Sequence, residues 1–380
     1  MKTDYDVIIV GAGSFGMSAG YYLAKSGASV LLIDAHDPPH HNGSHHGETR
    51  IFRTAYTMGA PYVALALRSG RLWSELAEAV RESATLAEHS EIFRQTGVLS
   101  IGPAGSRFLR SKRESCEAFG IPYEYISARD LTARWPGFSV PERMEGLYEP
   151  NSGILFSERI IRAYRMLAQK YGAELLIHTR TLRIEQGKRG NEVYTENGAY
   201  CANNVLVAAG AWSAEVVPEL LGRIQPVRKP IGWFKAPAHR YGDGTFPAFV
   251  VNKGGDEEYY GIPDLDGSGL KVGRHDGGDI LAPGRPIPPF GAYRQDEEHL
   301  AAFVRDFLPE AGGLLQGSVC LYENAPGERF MLGPLPGRPG VWFAGGGSGH
   351  GFKFSSGIGQ TIGEWLTTGQ SLTDVSAFRI

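Results

Sequence analysis

Gly11-Ala12-Gly13-Ser14-Phe15-Gly16 stands between an apolar run, Tyr5–Val10, and a stretch with helical spacing, Ser14–Ser26, that ends at Gly27. This G-x-G-x-x-G forces a tight turn from a buried strand into a helix. The first glycine makes the turn, the second lets the backbone approach a ligand, and the third lets helix pack on strand. A second apolar strand, Ser29–Asp34, ends on an acid 23 positions after Gly11. The helix N-terminus offers free N–H groups and a positive dipole end to a pyrophosphate. Gly11, Gly13, Ser14 and Gly16 are therefore candidate binders of a dinucleotide. Asp34 is placed to accept hydrogen bonds from an adenosine ribose, which argues against a 2′-phosphate there.

The loop alone does not separate NAD from FAD; the rest of the chain does. Helical spacing recurs at Pro61–Val80, Arg107–Phe119, Ser157–Tyr171, Asp296–Phe307 and Ser356–Leu366, and Ser127 reads as the N-cap of a short helix ending before Trp135. From Ile224 to Tyr322 the pattern turns strand-rich, with Val227–Lys235, Phe249–Asn252, Tyr259–Ile262, Gly269–Val272 and Ser318–Tyr322. Val341–Ala344 then regains the apolar character of a parallel strand and enters a second glycine-rich turn, Gly345–Gly349. An NAD dehydrogenase would continue to alternate strand and helix. A β-rich block followed by a returning glycine turn fits a flavoprotein. The expected class is α/β plus α+β: a Rossmann-type FAD-binding domain and a β-sheet-rich substrate domain, both discontinuous. The expected segments are 1–88, 150–220 and 323–380 for FAD, and 89–149 and 221–322 for substrate.

Glycine is the compositional departure, at 51 of 380 residues against a usual ~7%. A net charge of −3 gives no electrostatic footprint for nucleic acid or an anionic membrane. No apolar run reaches the ~20 residues of a membrane span, and Asp4 and Asp6 ahead of Val7–Val10 do not read as a secretory signal. Three cysteines, Cys116, Cys201 and Cys320, fit a reducing cytoplasm better than a disulfide framework. A cytoplasmic monomer with a small-molecule substrate is expected. His40, His41, His45 and His46 suggest a metal cluster, but adjacent pairs should point apart and no carboxylate or thiolate stands among them, so no metal is expected.

Several longer strings are more specific than the glycine loop. Asn42-Gly43-Ser44-His45-His46-Gly47-Glu48-Thr49-Arg50-Ile51, Arg134-Trp135-Pro136-Gly137, Glu149-Pro150-Asn151-Ser152-Gly153 and Gly349-His350-Gly351-Phe352-Lys353-Phe354-Ser355-Ser356-Gly357 resemble the monomeric sarcosine oxidase and N-methyltryptophan oxidase family. The resemblance runs over nearly the whole chain. It implies FAD, oxidative N-demethylation of a secondary amino acid, and reoxidation by O₂ with release of peroxide and formaldehyde.

The resemblance also assigns roles. Cys320, in Val319-Cys320-Leu321-Tyr322, matches the cysteine bonded to the flavin 8α-methyl carbon; on composition alone it would be inert core. Arg53 and Lys353 match the carboxylate-binding pair, and cationic donors suit a carboxylate. Lys271 is a lone charge in the apolar string Gly269–Gly273, costly without a reason. It matches the oxygen-activating lysine, where a fixed cation stabilises superoxide; alternation alone also allows an outward-facing lysine on an edge strand. Arg50 matches a flavin-proximal arginine. His275, Tyr260 and Tyr322 match substrate-pocket residues, which must favour the neutral amine. The loop carrying Ser44, His45 and Thr49 is placed against the flavin, as are Gly347 and Gly349.

Two departures bear on substrate. Thr54-Ala55-Tyr56-Thr57-Met58-Gly59 replaces a more acidic loop, with Met58 at the expected mouth. Gly347 stands where relatives carry Phe or Leu, so an enlarged cavity is expected. The alternatives are an oxidase of a cyclic or primary amino acid (pipecolate/proline or glycine oxidase type), an NAD-dependent dehydrogenase, or a non-catalytic flavoprotein.

Overall fold

The N-terminal apolar run is the strand Asp4–Val10, inside an eight-stranded sheet. The computed structural model describes residues 4–83, 91–282 and 285–380, so the expected boundary at 88/89 lies outside the described residues. Asp4–Val10 pairs in parallel with Val30–Ile33 on one side and Gly198–Val207 on the other. Val341–Gly345 runs parallel beside Gly198–Val207, and Glu174–Leu176 beside Val30–Ile33. Every residue of Val30–Ile33 is buried, as expected of a parallel strand covered on both faces. The hairpin Thr181–Gly187 and Gly190–Thr195 extends the sheet in antiparallel fashion.

The helix Ser14–Lys25 leaves the glycine turn and packs on the helices Ser157–Lys170 and Ser355–Thr368. Small residues permit that closeness: Ser18 Oγ donates to Ser355 O at 2.7 Å. This locks the returning C-terminal segment beside the first helix. The second glycine turn thus arrives next to the first.

The second sheet has nine strands and carries the β-rich block. Its pairs are antiparallel except Ala248–Gly254 beside Val98–Pro103. One face is core. Tyr259, Leu270 and Val272 pack there with Phe249 of the strand Ala248–Gly254 and with Phe303 and Phe307 of the covering helix Gln295–Phe307. Strand alternation then sends Tyr260 and Lys271 to the other face, with Trp233 and Cys320. Lys271 is buried on an interior strand, Leu270–Arg274, between Gln225–Phe234 and Glu257–Ile262. The outward-facing edge-strand alternative is therefore wrong.

Several short strands have no clear pattern in the sequence: Thr49–Phe52, Phe93–Arg94, Gly153–Phe156, Met144–Glu149 and Met331–Pro334. Thr49–Phe52, Gly153–Phe156 and Phe93–Arg94 form a separate three-stranded sheet. Among the described residues no helix is long and apolar enough to cross a membrane.

Candidate active site

Two cavities flank the strand Leu314–Asn324, one lined by Glu323 and the other by Cys320 and Tyr322. The first, about 710 Å³, is lined by Gly11, Gly13, Ser14, Asp34, Ser44 and His45. Gly11 has φ +94°, and a Cβ there would sit 2.6 Å from Ala208 O; one on Gly16 would sit 1.9 Å from Gly11 O. Gly16 does not line the cavity, and its place is against the strand end. The first helical turn carries no acid and Gly13 supplies no side-chain cap, which leaves its amides free to face an anion. Asp34 differs from the sequence expectation in one respect. Both its oxygens already serve the protein, Oδ2 accepting from Ala12 N at 2.8 Å and Oδ1 from His36 N at 2.9 Å. It anchors the glycine loop as well as lining the cavity. The cleft fits a dinucleotide.

The histidines divide into pairs. His45 is buried, held down to about 3 by desolvation, and its Nε2 accepts from His40 N at 3.1 Å. The His41 and His46 rings lie 4.2 Å apart. Arg50 knits this loop from within, donating to the carbonyls of Ser44, His46 and Thr49 at 2.5–2.7 Å. Its Nη2 stands 4.0 Å from Cys320 Sγ.

The second cavity, about 460 Å³, brings together Thr49, Arg50, Arg53, Cys320, Gly349 and Lys353 with Tyr260, Tyr322 and His275. Arg53 and Lys353 converge on Tyr56. Lys353 Nζ donates to Tyr56 Oη at 3.0 Å and to His350 O at 3.1 Å, and the Arg53 guanidinium carbon lies 4.8 Å from the Tyr56 ring centre. Burial pulls Lys353 well below the usual lysine value, helped by Arg53. Glu149 fixes the segment after Arg53, its Oε2 accepting from Thr54 N and Ala55 N at 3.0 Å each. Burial holds His275 down to about 4, so it is neutral at neutral pH. Lys229 braces its turn, donating to the carbonyls of His275, Asp276 and Gly277 at 2.6–2.8 Å. Burial pushes the Tyr260 and Tyr322 phenols up. Met58 lines this cavity.

Lys271 does not line it. Its Nζ donates to Gly47 O at 2.5 Å and to Thr49 O at 3.3 Å, on the side of a smaller cavity of about 180 Å³. Desolvation, then Arg50, brings it down to about 7. Gly347 lines neither of the two large cavities. A Cβ there would sit 3.1 Å from Glu323 Oε1, so the room vacated by its side chain is taken by a carboxylate. The expected enlargement is absent at that position. Tyr56, Glu149, Lys229 and Glu323 were not anticipated; the one signal for Glu149 was its place in Glu149–Gly153.

The family model described as "FAD dependent oxidoreductase" matches residues 6–365. The chain belongs to this family. It is 44% identical over 385 aligned positions to a monomeric sarcosine oxidase of Bacillus sp. (strain B-0618), covering 100% of this chain and 96% of the relative. It is 39% identical over 378 positions to an N-methyl-L-tryptophan oxidase of Salmonella dublin, covering 99% and 98%. Among solved structures, NikD, an unusual amino acid oxidase essential for nikkomycin biosynthesis, superposes with TM-score 0.84 at 22% identity over 100% of this chain and 98% of that one. L-proline dehydrogenase from P. horikoshii gives TM-score 0.84 at 20% identity over 99% and 96%. These two show the shared fold. The NAD-dehydrogenase alternative is overturned by the family match.

Proposed function

We propose that the chain oxidises an N-methyl secondary amino acid: amine, O₂ and water give the primary amino acid, formaldehyde and hydrogen peroxide. The observation that carries the reading is the convergence of Arg53 and Lys353 on Tyr56, in the same cavity as Cys320, Tyr260, Tyr322 and His275. The sarcosine and N-methyltryptophan oxidase relatives support it. FAD, when bound, accepts two electrons from the amine and passes them to O₂.

In this reading Gly11, Gly13, Ser14, Asp34, Ser44 and His45 hold the dinucleotide. Cys320 Sγ would hold the flavin through a thioether at its 8α-methyl carbon, an oxidative attachment whose two electrons O₂ would take. Segments 1–88, 150–220 and 323–380 are assigned to the FAD-binding domain and 89–149 and 221–322 to the substrate domain, with Arg53 and Lys353 reaching the substrate from the first and Cys320 the flavin from the second. Arg53 and Lys353 take the substrate carboxylate. No carboxylate base is needed at the amine. The desolvation that depresses Lys353 and His275 also disfavours a bound ammonium, and neutral His275, Tyr260 and Tyr322 wall the neutral amine. Lys271, with Arg50, supplies positive charge where oxygen takes up electrons, and the developing anion favours its protonated form. The enzyme acts as a cytoplasmic monomer.

The test is a product balance in air with sarcosine and N-methyltryptophan. Formaldehyde and peroxide in equal amounts are expected. Ammonia from glycine, with no formaldehyde from any N-methyl substrate, would favour a primary-amine oxidase instead.

A further inference from the structure

Glu323 has no part in the chemistry above. It follows Cys320 by three residues on the strand Leu314–Asn324, where Cys320 and Tyr322 line the smaller of the two large cavities and Glu323 lines the larger. Its side chain is buried, 6% exposed. Oε1 accepts from Gly347 N at 3.0 Å. The same turn is tied to the strand again by Ser348 N donating to Glu323 O at 3.1 Å and Ala325 N donating to Ser348 Oγ at 3.1 Å. The carboxylate is thus held on one edge and cannot swing away. Oε2, its other edge, makes no well-formed hydrogen bond and lies near Gly210 in the cleft wall, although the Gly346 amide is also close enough to the carboxylate to steady its charge.

A buried carboxylate oxygen without a donor is costly, and folded proteins seldom keep one. Burial pushes this acid up to about 7, in line with an oxygen that lacks its partner. The position says which partner is missing. With a pyrophosphate on the Gly11–Gly16 turn and a flavin ring at Cys320, the stretch between them is the ribityl chain, whose polar groups are hydroxyls. A hydroxyl serves Oε2 in either protonation state, donating to the carboxylate and accepting from the acid. A phosphate oxygen would serve only the protonated form and would set a second negative charge beside the first.

We propose that Glu323 is a cofactor-binding residue whose Oε2 hydrogen-bonds a ribityl hydroxyl of FAD while Oε1 holds the Gly347 turn. This rests on the reading of the cleft as an FAD site with its ring at Cys320. The test uses the full chain carrying Cys320→Ala, so that FAD binds reversibly. Its Kd is measured for FAD and for analogues lacking one ribityl hydroxyl at a time, read by flavin fluorescence.

One analogue should bind roughly ten- to hundredfold more weakly than FAD, as for a hydrogen bond to a charged group. Adding Glu323→Ala should weaken FAD by a similar factor and abolish that analogue's penalty. Glu323→Gln keeps the Oε1 bond to Gly347, and should shrink the same penalty to a few-fold. It decides the matter if the alanine variant does not fold. Penalties that are absent in the parent, or that persist in both variants, overturn the proposal. A wild-type chain that carries no flavin at all would instead overturn the underlying reading of the cleft.

Discussion

Lys353→Met removes one of the two cations assigned to the substrate carboxylate. An ammonium has three N–H donors; Tyr56 Oη and His350 O occupy two, leaving one for a ligand. A hydrogen bond to a charged group contributes about 1.5–3 kcal/mol, so its loss should raise Kd roughly ten- to 150-fold. Arg53 remains, so binding is weakened and not abolished. The assay is titration of the flavin absorbance with propionate and with propionamide, its uncharged isostere. The variant should lose affinity for propionate alone. Equal losses for both would mean that the methionine side chain distorts the cavity and that Lys353 does not read charge. The wild type adds a second signature. Burial lowers the Lys353 pKa and a bound carboxylate raises it. At pH values between the free and bound pKa, propionate binding should therefore take up protons. Calorimetry in buffers of different ionisation enthalpy measures that uptake, and it should vanish in Lys353→Met.

Three further outcomes are expected. Cys320→Ala should release its flavin on acid precipitation, whereas wild-type flavin stays with the pellet; flavin still covalent in the variant would refute the attachment. Lys271→Met should slow reoxidation by O₂ far more than anaerobic reduction by substrate in stopped flow, and equal slowing of both would remove its assigned role. Asp296→Ala removes two bonds of 2.6 and 2.7 Å from buried Arg228, which keeps Asp279 at 3.2 Å and the carbonyls of Pro288 and Pro289. Unfolding in denaturant should show a loss of about 1.5–3 kcal/mol, as for hydrogen bonds to a charged group with a second counter-charge left in place, while a loss below about 1 kcal/mol, the range of an exposed pair, would contradict it.

Residues whose environment is local could be read from the sequence. Gly11–Gly16 and Asp34 announce a strand, turn and helix because each constraint lies within one unit. Lys271 stands out as the lone charge among Gly269, Leu270, Val272 and Gly273, and the fold buries it on the face that carries Trp233, Tyr260 and Cys320. Glu323 shows the opposite case. In Leu321-Tyr322-Glu323-Asn324 it looks like a solvated acid at a strand end. Its burial comes from the Gly346–Ser348 turn, which arrives from more than twenty residues downstream through the packing of Ser355–Thr368 on Ser14–Lys25. Gly347 misled for the same reason, since the space beside it is filled by a residue distant in sequence. Thr49–Phe52 and Gly153–Phe156 are strands because they pair with each other; neither is long enough to carry a period of its own.

The measurement closest to the central claim is anaerobic bleaching of the flavin absorbance by sarcosine, N-methyltryptophan, proline and pipecolate. Rapid bleaching by at least one N-methyl amino acid is the predicted result. The size of the best one would report how the Met58 side of the cavity sets substrate length. Bleaching by proline or pipecolate alone would keep the carboxylate pair and the flavin chemistry but contradict N-demethylation. A flavin that none of the four reduces would contradict the secondary-amine reading itself.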